Sequence, residues 1–181
     1  IIVVVPNSWF NVIKKELKKI CPIVKVVVGG SNRSKSSAIG IQACSKNCKN
    51  VLIHDGARPF ASTNLYKLCI EKLKDNDAVI PIIESIDSAV YFQNSGNDYN
   101  PSFLKRENLK LIQTPQAFKY KLINQAYANL ELEKTDDLQI LLAYNKKSKV
   151  CFINGELENF KITTKNDVEL VKYSLKNRSK S

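Results

Sequence analysis

VLIHDGARPF, residues 51–60, sets an apolar run directly before a carboxylate, a small-residue turn, an arginine and a proline. Val51 to His54 read as a strand of the fully buried kind found in parallel sheets. Asp55 then falls just past the strand end. Gly56 and Ala57 keep the backbone there uncluttered, and Pro59 ends the turn after Arg58. A carboxylate so placed can hold a hydroxyl or a phosphate-bound magnesium. An arginine three residues on can grip a phosphate with two parallel hydrogen bonds. An Asp–Arg pair that only stiffens a turn is the bland alternative; it fits a generic D-x-x-R better than this whole decapeptide.

Strand and helix signals alternate on both sides of this stretch. Residues 1–5 form an apolar strand, and Asn7 or Ser8 can cap a helix carrying Phe10, Ile13, Leu17 and Ile20 at helical spacing. Pro22 stops that helix, and Ile23 to Val28 form the next strand, ending at Gly29-Gly30. A helix is predicted from about Ser34 to Cys48. Another covers 62–74 with Leu65, Leu68, Cys69 and Leu73 on one face, before a strand at Ala78–Ile83. Between about Glu84 and Leu111 the alternation stops. A short strand (Ala89–Phe92) and the turn Asn94-Ser95-Gly96-Asn97 replace it, and a protruding β-arm used for self-association accounts for them better than a long structureless loop. Helices resume at about 119–130 and 135–144, followed by a strand at Lys149–Ile153 and a last helix from Asn166. Repeated strand–helix–strand units predict a mostly parallel sheet covered by helices on both faces, with ligand sites at the carboxyl ends of its strands.

Composition narrows the function classes. At 181 residues, 44% hydrophobic and 25% charged, the chain fits one soluble globular domain. No apolar run approaches the roughly 20 residues of a spanning helix, so no membrane partner is expected. The opening IIVVVP reads as a strand and not as a signal peptide. The five cysteines (Cys21, Cys44, Cys48, Cys69, Cys151) are odd in number. The single histidine, His54, lies outside any ligand spacing with Cys44 and Cys48, so buried reduced thiols in a reducing cytosol are expected in place of a zinc site. The net charge of +11 raises the question of nucleic acid. Its lysines are spread over nearly every segment, which reads as solvated faces and suits anionic small substrates. Arginine occurs only four times. Arg33, Arg58 and Arg106 all fall where a forked donor is useful, whereas Arg178 is in the basic tail.

Four further segments carry chemistry. VVVGGSNRSKSS (26–37) brings two glycines to a strand end and opens a helix whose free amides favour an anion or a pyrimidine carbonyl. LIQTPQAF (111–118) presents Thr114 before a proline. KTDDLQILLAY (134–144) looks like a helix start with Thr135 or Asp136 as cap. In NGELENFKITTKNDVEL (154–170), Lys161 is either plain surface charge or a cation facing a phosphate.

Taken in order, these segments resemble the bacterial and plastid-type 2-C-methyl-D-erythritol 4-phosphate cytidylyltransferases. HDGARP is close to that family's signature, and GGSNRSKSS, QTPQAF, TDD and NFKITT follow at its relative positions, covering essentially the whole chain. The resemblance implies a three-layer, Rossmann-like nucleotidyltransferase fold over residues 1–181. The β-arm, about 84–111, would clasp a homodimer. It also implies CTP and a polyol phosphate as substrates, magnesium as cofactor with no protein ligand assigned, and a cytoplasmic setting of bacterial type or a plastid-type organelle. Carried over, Gly30, Ser31, Ser36 and Gly56 would line the cytidine pocket, and Asp55, Arg58, Ser85, Thr114 and Thr135 would bind the methylerythritol phosphate. Arg106 and Lys161 would position its phosphate, with Arg106 and Ser85 (usually threonine) reaching across from the partner's arm.

Ser31 stands where the family usually has aspartate, and Leu142 and Asn145 replace a glutamate and a glycine. The family also opens with a strand and a glycine-rich loop, which are not in this sequence. The chain is therefore expected to be N-terminally truncated relative to the family, and inactive or weak alone. The implied chemistry is in-line attack of a phosphate-monoester oxygen on the α-phosphorus of CTP, with catalysis by positioning and charge neutralisation. His54 is expected to be structural. The rival readings are a cytidylyltransferase for another polyol phosphate such as ribitol 5-phosphate, and a non-catalytic dimer-forming or nucleic-acid-binding remnant.

Overall fold

The computed structural model describes residues 1–93, 100–129 and 134–178. In chain order the elements are β1 (Ile2–Val5), α1 (Phe10–Ile20), β2 (Lys25–Val28), α2 (Arg33–Gln42), β3 (Asn50–Ile53), α3 (Thr63–Lys72), β4 (Ala78–Glu84), β5 (Ala89–Gln93) and β6 (Asn100–Leu104). They continue with β7 (Lys110–Ile112), β8 (Gln116–Lys119), α4 (Tyr120–Asn129), α5 (Asp137–Tyr144), β9 (Val150–Asn154) and α6 (Lys165–Arg178).

Several boundaries differ from the sequence reading for local reasons. Asn7 and Ser8 form a 3₁₀ turn ahead of α1 and cap nothing with their side chains. On α1, Phe10, Ile13 and Leu17 are half-buried while Ile20 is exposed. The second helix ends at Gln42, short of Cys48. Beyond it the Ser45 hydroxyl accepts from the Asn47 amide and the Ser45 carbonyl from the Cys48 amide, so a serine turn replaces the last helical bonds. For α5, Asp136 is the cap: its carboxylate accepts from the Leu138 amide at 2.9 Å. The α6 start is a reciprocal capping box, with Asp167 accepting from the Thr163 and Thr164 amides while the Thr164 hydroxyl accepts from the Asp167 amide.

A five-stranded sheet forms the centre, with β8 between β3 and β4, β9 on the other edge of β4, and β7 beside its C-terminal part. β9 runs parallel to β4, whereas β7 and β8 run against it. The expected parallel set therefore carries two reversed strands. Both follow the stretch after β4, which has no helix covering the sheet among its described residues, and strands consecutive in the chain need a crossover connection to run parallel. β1 and β2 form a separate parallel pair.

Side chains alternate across the central strands, so β4 and β8 serve two cores at once. Ala78, Ile80 and Phe118 pack with Ala38, Ile123 and Leu141 under α2, α4 and α5. Val79 and Ala117 pack on the other face with Leu65, Cys69 and Leu73 of the α3 region and Ile153 of β9. Helices thus cover both faces, giving three layers.

β5 and β6 pair only with each other among the described strands, Val90 opposite Phe103 and Tyr91 opposite Ser102. The expected turn Asn94–Asn97 lies outside the described residues. All five cysteines are free but only Cys69 is buried, a correction to the expectation of buried thiols. No helix among the described residues is long and apolar enough to cross a membrane.

Candidate active site

Asp55 follows β3 as the sequence pattern requires, and three cations meet on its carboxylate. Lys161 Nζ lies 2.9 Å from Oδ2 and Arg58 Nε 3.8 Å from the same oxygen, and Arg33 presents Nε and Nη2 to Oδ1 at 3.4 Å each. Burial alone raises the Asp55 pKa. The hydrogen bond from Lys161 and the charges of Arg33, Lys161 and Arg58 outweigh it, and hold the carboxyl below its ordinary value. Burial pushes the Arg58 guanidinium down, against the pull of Asp55.

The turn carrying Asp55 is held from three sides. The Arg58 amide donates to the Asp55 carbonyl at 2.9 Å, closing the Asp-Gly-Ala-Arg turn. The Asp55 amide donates to Thr114 Oγ1 at 3.0 Å, and the same hydroxyl faces His54 Nδ1 at 3.0 Å. His54 Nε2 lies 2.8 Å from the Arg58 carbonyl, which can only accept, so Nε2 carries the proton and Nδ1 accepts from Thr114. With Tyr66 packed edge-on at 5.6 Å, His54 is a strut of the turn.

Lys161 is delivered by the loop after β9, which a buried amide network shapes. Gln113 Nε2 donates to the Glu156 carbonyl at 2.8 Å, and the Glu156 amide donates to Gln113 Oε1 at 3.0 Å. Asn159, fully buried, donates to the Thr114 carbonyl and accepts at its own carbonyl from Arg58 Nη1 at 2.7 Å. The Ile162 amide closes on the Ala57 carbonyl at 2.8 Å. A Cβ at Gly155 would collide with Gln113 Oε1, so a larger residue there must push the Gln113 amide out of this network.

On the side of the glycine pair, the Ser36 hydroxyl accepts from the Gly30 amide at 3.1 Å and donates to the Asn32 carbonyl at 2.9 Å. Lys35 Nζ donates to Ser31 Oγ at 3.2 Å. A Cβ at Gly30 would collide with that of Lys35, whereas Gly56 is exposed with nothing within 4 Å of such an atom. Thr135 is exposed, directly ahead of the α5 cap. Arg106 is exposed, its Nη1 donating to the Ile86 carbonyl at 3.3 Å. Ser85 lies in the same neighbourhood, donating to the Asp87 carbonyl. The structure therefore gathers Asp55, Arg58, Thr114 and Lys161, ties the Gly30–Ser31 loop to Ser36 in the first turns of α2, and sets Ser85 and Arg106 together at the foot of the β5–β6 pair. A cavity of about 570 Å³ bounded by Pro59, Phe60, Ser62, Thr63, Glu156 and Leu157 includes none of the cationic cluster.

The sequence reading did not assign Arg33, Asp137, Tyr127, Gln113 or Asn159 to the site. Arg33 was visible through the scarcity of arginine. Asp137, Gln113 and Asn159 lie inside segments already singled out, but their pairings span up to 104 residues and have no local signal.

A three-layer α/β fold that gathers three cations on one carboxylate just past a strand end is the arrangement of a nucleotidyltransferase, the class to which the matching family belongs. The model of the 2-C-methyl-D-erythritol 4-phosphate cytidylyltransferase (IspD) family matches residues 1–177, and the chain belongs to that family. Among its relatives, the bifunctional enzyme IspD/IspF of Pelagibacter ubique is 39% identical over 97% of this chain and 46% of the relative. The 2-C-methyl-D-erythritol 4-phosphate cytidylyltransferase of Caldicellulosiruptor saccharolyticus is 34% identical over 95% of this chain and 75% of the relative. The crystal structure of 4-diphosphocytidyl-2C-methyl-D-erythritol synthase from Anaerococcus prevotii superposes with a TM-score of 0.86 at 34% identity, covering 97% of this chain and 78% of that one. The chain thus spans under half of the bifunctional relative and about three quarters of the other two.

Proposed function

We propose that the chain serves cytidylyl transfer from CTP to 2-C-methyl-D-erythritol 4-phosphate, releasing pyrophosphate in isoprenoid precursor synthesis. The observation that carries the proposal is the meeting of Arg33, Arg58 and Lys161 on the single carboxylate of Asp55. Arg33 Nη1 and Arg58 Nε are buried there with no hydrogen-bond acceptor among the described residues. Three cations sharing this carboxylate leave a local excess of positive charge, which suits an anionic ligand.

In this reading Asp55, ionised, accepts from the polyol hydroxyls, and Arg58 and Lys161 meet the phosphate. Thr114 spends its hydroxyl on the Asp55 amide and His54, so it contributes by fixing the turn. Thr135 lies at the exposed rim. Gly30, Ser31 and Ser36 face the cytidine, with Gly56 leaving a bare surface for it. A phosphate oxygen of the polyol attacks the α-phosphorus in line. The new P–O bond forms as the bond to the bridging oxygen breaks, and pyrophosphate leaves with that electron pair. The nucleophile is already anionic near neutral pH, so no general base is needed; the protein positions and neutralises.

The described residues gather no group of three or more His, Cys, Asp or Glu side chains able to hold a metal, and Asp55 is engaged by three cations. They do not make a protein-held magnesium site, and magnesium is proposed to enter as part of the CTP complex. A homodimer through the hairpin is supported by the exposure of Tyr91 (55%), Phe92 (50%) and Phe103 (82%). In such a dimer Arg106 and Ser85 of one copy would serve the other's site. A cytoplasmic setting, with no nucleic-acid or membrane partner, completes the proposal.

The test is calorimetric titration of the protein with methylerythritol phosphate and with ribitol 5-phosphate, each with and without CTP and magnesium, alongside a pyrophosphate-release assay. Saturable binding of methylerythritol phosphate that ribitol 5-phosphate does not match supports the proposal. Preference for ribitol 5-phosphate, or binding of neither, overturns it.

A further inference from the structure

Arg33 occupies the first turn of α2, where a cation opposes the helix dipole, so helix stability does not explain it. Its guanidinium joins two carboxylates. Nη2 is 2.7 Å from Asp137 Oδ2, and Nε with Nη2 faces Asp55 Oδ1 at 3.4 Å. Asp137 is fully buried in the first turn of α5, and its other oxygen accepts from the Tyr127 hydroxyl of α4. With both oxygens of Asp137 engaged, the plane of the guanidinium is set by α4 and α5. The next residue, Ser34, donates to the Lys134 carbonyl and pins the start of α2 to the segment before α5.

We infer that Arg33 is a positioning residue, clamped by the buried Asp137–Tyr127 pair, that holds the Asp55 carboxylate in the orientation needed by the polyol. The contact to Asp137 alone would neutralise that buried charge. The second edge of the fork is additional and points at the one carboxylate proposed to meet substrate. Lysine cannot reproduce this, because a point charge does not present two donors in a fixed plane. The substrate half of the inference rests on the polyol-phosphate reading above. The orientation of Asp55 does not.

Three variants test it: Arg33→Lys, Tyr127→Phe, and the double change Arg33→Gln with Asp137→Asn, which removes both charges and leaves no uncompensated buried carboxylate. Two readouts are taken on the intact chain. The first is the dissociation constant of methylerythritol phosphate against that of CTP. The second, free of any ligand, is the titration of the Asp55 carboxyl by carbon NMR. Asp55 is faced by Arg33 from α2, Arg58 from its own turn and Lys161 from the loop after β9, with His54 and Thr114 behind the turn.

Arg33→Lys and the double variant are expected to weaken methylerythritol phosphate about tenfold or more, with CTP changed far less. Tyr127→Phe is expected to have a smaller effect in the same direction. In the double variant the Asp55 midpoint rises, since one of its three cations is gone while Arg58 and Lys161 remain. An unchanged Asp55 titration in the double variant overturns the inference, as does a loss of thermal stability with both dissociation constants intact. A shifted Asp55 midpoint in a protein that never binds methylerythritol phosphate sinks the substrate reading and leaves the clamp standing.

Discussion

Asp55→Asn is the most informative single change, because the site predicts its effect on stability as well as on binding. Ligand-binding carboxylates are often strained, and neutralising one then stabilises the fold. Here the opposite follows. Asp55 is mostly buried among Arg33, Arg58 and Lys161, and its amide analogue leaves those cations facing one another. The bond from Lys161 is short, but the lysine is 42% exposed, which puts it near the lower end of charge-assisted bonds. Arg33 and Arg58, at 3.4 and 3.8 Å, add less. The sum is about 1–2 kcal/mol at pH 7, or a fall of about 3–6 °C in a chain of this size. The sign with pH follows from linkage. The folded-state pKa of Asp55 is depressed, so its contribution is present above the unfolded carboxyl range near about 4 and is lost as pH falls through the folded value. Calorimetric melting of both proteins between pH 7 and pH 3 should show a gap that closes as the wild-type carboxyl protonates. An Asn variant that melts at or above wild type at pH 7, or a gap independent of pH, refutes the account of the cluster.

Gly155→Ala should cost about 1–3 kcal/mol, because the new methyl collides with Gln113 Oε1 and breaks the amide network shaping the Lys161 loop; urea unfolding measures it. Ser62→Ala removes the capping bond that the Leu65 amide donates to the Ser62 hydroxyl and the one that hydroxyl donates to Glu156, and should cost about 1–2 kcal/mol in the same assay. Phe118→Ala empties the centre of the larger core, where the ring is fully buried, and should cost about 3–5 kcal/mol, visible as a large fall in melting temperature. The Asp167 carboxyl, held down to about 2 by the Thr163 and Thr164 bonds, keeps the α6 cap below the pH where free carboxylates protonate. Protection factors for amide exchange at Thr163 and Thr164, relative to an unstructured peptide at the same pH, should persist until pH falls towards that value, and be lost in Asp167→Ala.

Much of the fold was legible because its signals are local. Asp136, one of the two caps expected for α5, is its cap, and Leu65, Leu68, Cys69 and Leu73 recur at helical spacing and meet in one core. The apolar run at β4 reads directly as a buried strand; β3, whose run reads the same way, ends the sheet order among the described strands, and its residues are half-buried or exposed. Strand direction was less legible: β7 and β8 look like any short apolar segment, and only the connection after the hairpin shows that they are reversed. In the site, Asp55 and Arg58 announce themselves within ten residues. Arg33 and Asp137 meet across 104 residues of chain, and periodicity carries no trace of that meeting. Lys161 stood in between, since an exposed lysine before a helix is ambiguous until the loop that carries it is seen folded back on Ala57 and Thr114.

Thr114 ties two loops together through two different atoms. Its hydroxyl steadies the acidic turn while its carbonyl, a few ångströms away, anchors Asn159 and through it the loop bearing the lysine. A valine there would keep the carbonyl and silence the hydroxyl, so the two loops would be damaged unequally by a change of almost no volume. A serine there keeps both the hydroxyl and the carbonyl, so it is the replacement that leaves both loops held.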